Sequence, residues 1–99
     1  MAPDPIGPLT ILADETLRVA RGLLDHLAAA LARHQIPQTQ QPNYGWLDRA
    51  IWTLAGRVDA YRSGSLAGSL AEQATSINAA IEEVEAAARS VQHVLSQLP

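Results

Sequence analysis

Apolar residues recur along this chain at alternating steps of three and four, in three separate runs. The first run is Leu17, Ala20, Leu24, Leu27, Leu31 and His34. The second is Leu47, Ile51, Leu54, Val58 and Tyr61. The third is Leu70, Ala74, Ile77, Ile81, Val84, Ala88, Val91, Leu95 and Leu98. Such spacing stacks one apolar side chain per turn along one face of an α-helix. It predicts helices over residues 10–36, 44–62 and 70–98. Leu12, Val19, Leu23 and Ala30 widen the first stripe, which suits a bundle better than a two-stranded coiled coil.

The segments between the runs carry stop and start signals. Pro3, Pro5 and Pro8 predict a flexible arm over residues 1–9. Thr10 or Asp14 is the expected first cap, and Pro37 the expected stop. Residues 37–43 read as a polar connector, with Asn43 as N-cap of the second helix. Residues 63–69 hold Gly64 and Gly68 among three serines, and Gly64 is placed to end the second helix in the left-handed conformation. Ser69 and Glu72 form a capping-box pattern ahead of the third run. The third seam also starts two residues out of phase with the second. The expected fold is a single all-α domain, a three-helix up-down-up bundle with coiled-coil-like packing. The alternative is a long helical hairpin with a kinked second helix.

Composition thins the expected core. Apolar residues make up 47% of the chain, but 18 of them are Ala and none is Phe. All seven basic residues are Arg, which with so much Ala suggests a GC-rich coding sequence. The net charge of −3 falls entirely on residues 69–99, where Glu72, Glu82, Glu83 and Glu85 face only Arg89. Mild acidity argues against nucleic acid as a partner. No apolar run of about 18 residues is present, so no membrane span is expected. The first residues show neither basic charge nor an apolar core of a leader, so a cytoplasmic location is expected. Secretion without a cleavable signal is the alternative.

Candidate chemistry is sparse. There is no Cys. His26 and His34 lie eight residues apart, roughly 12 Å of helical rise, and neither H-x-x-x-H nor E-x-x-H occurs. No metal, no cofactor and no catalytic residue is therefore expected, and the chain reads as no enzyme. His34, on the first seam at a helix end, is expected to be partly buried. The four aromatics, Tyr44, Trp46, Trp52 and Tyr61, all sit in the second helix. Aromatic and Arg side chains are enriched at binding hot spots. Tyr44, Trp46, Arg49, Trp52 and Gly56 are the expected partner-binding residues, with a shallow notch at Gly56 beside the Trp52 ring. Glu82, Glu83 and Glu85 form a secondary acidic face. The long third seam is expected to outrun its neighbours over its last two turns. The function expected is a non-enzymatic protein–protein interaction module or accessory subunit, self-associating or paired with a helical partner. A small-ligand-binding bundle is an alternative, with Ala20, Ala74 and Ala88 leaving room between helices.

The mid-chain stretch Asn43-Tyr44-Gly45-Trp46-Leu47-Asp48, in a cysteine-free chain of this length, resembles in outline the WXG100 proteins of type VII secretion. In that family a Trp-x-Gly motif marks the turn of a helical hairpin. Here the Gly precedes the Trp and position 48 is Asp. The tail, Ser90 to Pro99, lacks the family's Tyr-x-x-x-Asp/Glu signal. The resemblance implies paired, exported or chaperone-bound helical proteins.

Overall fold

A computed structural model describes residues 6–98, in which three long helices pack side by side. These are α1 (Gly7–Ala32), α2 (Gln41–Arg62) and α3 (Leu70–Leu95), with a short 3-10 turn at Gln38–Gln40. Cross-links show the direction of each helix. Arg62, at the end of α2, donates to Asp14 near the start of α1 at 2.7 Å. Ser90, near the end of α3, donates to Asn43 near the start of α2 at 2.9 Å. The bundle is therefore up-down-up, and it is elongated, 54 × 19 × 16 Å.

The α2 seam packs as its periodicity predicts: Leu47, Ile51, Leu54 and Val58 are buried, and Ala50 beside them allows close approach. On α3, Ile77, Ile81, Val84 and Val91 are buried, joined by Ala80, Ala87 and Val94. On α1 the core residues are Thr10, Ala13, Leu17, Ala20, Leu27 and Ala30. Leu12 and Val19 do not widen that stripe inward; both are 45% exposed. The end of α3 is not the overhang either. Val91 and Val94 are buried and Leu95 is half-buried, whereas Leu70 at the other end is 58% exposed. Ile36, in the connection after α1, belongs to the same core and supplies apolar cover beyond the seams.

The helix ends differ from the sequence reading for reasons of backbone hydrogen bonding. Helix α1 starts at Gly7 and takes in Pro8, because a proline in the first turn has no N–H to satisfy. Ile6 is fully buried just ahead of it, and Thr10 lies inside the helix, donating through its hydroxyl to the Gly7 carbonyl at 2.8 Å. The expected flexible arm thus does not extend over residues 6–9, and residues 1–5 lie outside the described residues. Helix α1 stops at Ala32 rather than at residue 36. His34 adopts φ 56°, its N–H bonds Leu31 O at 3.1 Å, and the Gln35 N–H bonds Ala30 O at 2.9 Å. That pair is a Schellman motif, here with His where Gly is usual. His34 is exposed, not on the core seam. Likewise Asn43 does not cap α2: the helix already starts at Gln41 with Pro42 in its first turn.

The expected break between α2 and α3 is present. Gly64 (φ 77°) closes α2 with the same motif, through Gly64 N–H to Tyr61 O at 3.1 Å and Ser65 N–H to Ala60 O at 2.8 Å. The capping box also forms. The Ser69 hydroxyl accepts from the Glu72 N–H at 3.2 Å, and Glu72 accepts from the Ser69 N–H at 3.4 Å. Two capped ends in opposite directions exclude one kinked helix through residues 63–69.

Candidate functional site

Helix α2 lies against both other helices and so has three distinct surfaces. Its core seam faces inward; grooves with α1 and α3 run along its flanks; a strip of residues faces solvent. Each predicted binding residue lies on one of the latter two. Tyr44 is half-buried beside Ala28 and Leu31 of α1. Trp46 and Arg49 line the groove toward α3, with Thr53, Arg57, Ala80 and Glu83. Trp52 stands at the edge of the opposite groove, with Arg21 and Leu24 of α1 and Asp48 and Asp59 of α2. Gly56 faces solvent, and a Cβ built there meets nothing within 4 Å. The five residues therefore do not converge on one pocket.

Three of them nevertheless share a surface. At 100° per residue, Arg49, Trp52 and Gly56 fall within one outward strip of α2, opposite Leu54. The Trp52 ring is 73% exposed, an unusual state for the largest side chain of a chain this short. Gly56 is costly at this position, because a mid-helix Gly is about 1 kcal/mol less favourable than Ala. Nothing in the bundle's own packing requires it. Arg49 folds back over Gly45, where a Cβ would come within 3.2 Å of its Nη1.

Trp46 behaves differently. Its indole N–H donates to Glu83 Oε1 of α3 at 2.6 Å, tying the two helices together at the surface. Arg57 similarly donates to the Ser76 carbonyl at 2.6 Å, reaching a backbone oxygen in the second turn of α3. Asn43 receives Ser90 and donates to Gln40 at 2.7 Å. The three links between helices, Trp46–Glu83, Arg57–Ser76 and Ser90–Asn43, join residues 19 to 47 positions apart. Sequence reasoning missed them because neither partner has a spacing signal pointing to the other.

The acidic trio is divided. Glu83 turns to α2 and binds Trp46. Glu82 accepts from Asn78 at 3.3 Å. Glu85 lines a groove of about 280 Å³ between α1 and α3, with Val19, Ala20, Ala88 and Arg89. All three carboxylates are exposed. The Glu15 carboxyl is held below the usual range by its hydrogen bond and ion pair with Arg18 one turn on.

Among the described residues, every buried side-chain nitrogen or oxygen has a hydrogen-bond partner. His26, His34 and His93 are all exposed and stand apart; no three His, Asp or Glu side chains gather to hold a metal ion among the described residues. No described helix is long and apolar enough to cross a membrane. No family model, curated protein or solved structure matches the chain.

Proposed function

We propose that this chain is a non-enzymatic helical interaction module, binding a protein partner through the solvent face of α2. One observation carries the reading: Trp52, 73% exposed, on a face that also presents Arg49 and Gly56. A helical bundle gains little from a large aromatic side chain in water, whereas exposed Trp and Arg are the side chains that interfaces use as anchors. Trp46 has a supporting role, since its indole N–H is already engaged by Glu83. The acidic outer face of α3, with Glu82, offers a secondary surface that steers a basic partner toward the module.

The test is partner capture from the native host with the wild-type chain and with Trp52→Ala. Loss of the captured partner by Trp52→Ala, with helicity by circular dichroism intact, supports the reading. Equal capture by both proteins assigns the contact elsewhere. A second reading follows the outline of type VII helical proteins and rests on Trp46, one turn into α2 from the mid-chain connection. Recovery of the protein in culture supernatant supports that reading, and strict retention in the cell argues against it.

A further inference from the structure

The outward strip of α2 is a second seam. Gly45, Arg49, Trp52, Gly56, Asp59 and Ser63 follow one another at steps of 4, 3, 4, 3 and 4. This is the spacing of a coiled-coil stripe, set opposite the core stripe of the same helix. Within the bundle Arg49, Trp52, Gly56, Asp59 and Ser63 are exposed on it, and Gly45 at its start is half-buried. Arg49 and Asp59 are exposed and carry no ion pair or side-chain hydrogen bond among the described residues.

The order of residues in that strip is self-complementary. In an antiparallel pair of identical helices related by a two-fold axis, each residue faces a fixed counterpart, and the two numbers have a constant sum. When that sum is 108, Arg49 faces Asp59 of the other copy and Asp59 faces its Arg49. In the same register Trp52 faces Gly56, and Gly45 faces Ser63. Base thus meets acid twice. Each large ring meets a residue with no side chain, and small residues meet at both ends. One sequence strip supplies both halves of every pair.

We infer that α2 pairs with α2 of a second copy of this chain, antiparallel, with Trp52 seated over the partner's Gly56 and flanked by reciprocal Arg49–Asp59 ion pairs. The pairing accounts for three features the isolated bundle leaves unexplained: the exposed indole, the mid-helix Gly56 with open space above it, and two unpaired opposite charges at symmetric positions. This inference rests on the reading of α2 as the binding face and names its occupant.

The test is a charge exchange read by sedimentation velocity across about 1–500 μM, a range spanning the affinities of modest interfaces. The wild-type chain should dimerise. Arg49→Asp places Asp against Asp twice per dimer, and Asp59→Arg places Arg against Arg twice. Each variant alone should dimerise about ten- to a hundredfold more weakly, the range expected when two exposed attractions become repulsions. An equimolar mixture of the two variants restores both pairs in the heterodimer and should recover the wild-type constant to within about threefold. Circular dichroism of each variant checks that the bundle remains folded. Because the charges are exposed, loss of folding is not expected.

A wild-type chain that stays monomeric throughout overturns the pairing. So does a mixture that associates no better than the separate variants, since the contact would then lie in another register or on another face. If a monomeric wild type binds a different protein in a Trp52-dependent way, self-pairing is overturned while the module reading stands. If the chain neither self-associates nor loses a partner with Trp52→Ala, both fall.

Discussion

Trp52→Ala and Leu54→Ala, two residues apart on α2, should separate binding from folding. Trp52 is 73% exposed, so roughly a quarter of its surface is covered by the fold. For a side chain of about 250 Å², at about 25 cal/mol per Å², truncation removes roughly 1.5 kcal/mol of burial. Alanine keeps part of that contact and is the better helix former by a few tenths of a kcal/mol. The net loss is about 1 kcal/mol or less. Leu54, by contrast, is fully buried and points the other way. Its truncation leaves a cavity among Leu, Ile and Val side chains and should cost about 3–5 kcal/mol. Urea titration followed at 222 nm, with protein dilute enough to suppress association, measures both. In thermal melts each kcal/mol corresponds to about 4–8 °C for a domain of this size, so the two variants are readily distinguished. A loss near 3 kcal/mol for Trp52→Ala would refute the reasoning, because the ring would then be part of the core rather than a surface anchor.

Three further outcomes follow from the helix ends and the Glu15 carboxyl. His34→Gly should stabilise the protein by about 0.5–1 kcal/mol in the same titration, since the left-handed conformation strains any L side chain more than glycine's added chain freedom costs; unchanged or lower stability would contradict the φ of 56°. Ser69→Ala should remove one arm of the capping box and destabilise by about 1 kcal/mol, with the start of α3 losing amide-exchange protection first. Arg18→Ala should let the Glu15 carboxyl rise toward its ordinary value in an NMR pH titration, because the hydrogen bond and charge that favour its ionised form are gone; an unmoved titration would mean that the pair does not form in solution.

The apolar period was enough to assign α2 and α3, because a 3-4 repeat leaves only one face to bury. Leu47, Leu54, Ile77 and Val84 lie where that period puts them, and all are fully buried. The α2–α3 break was legible for a similar local reason: Gly64, Gly68 and the Ser69–Glu72 pattern have preferences that act within a few residues. The candidate face was partly legible. Trp52, Arg49 and Gly56 share a strip by helical geometry alone. That Tyr44 and Trp46 turn away from it, toward α1 and α3, depends on where the neighbouring helices lie.

Sequence alone therefore determined that the chain forms three helices, which face of each is apolar and which residues cluster beside Trp52. Tertiary structure decided what covers those faces. Leu12 and Val19 look like core by period but stay 45% exposed, with Val19 on the open groove between α1 and α3 rather than inside the seam. His34 looks like a seam residue but forms a left-handed cap, because the chain must turn there to bring Ile36 into the core. Periodicity is a property of one helix. Burial is a property of the space between helices, and only packing three of them together shows that the Trp52 strip is left open.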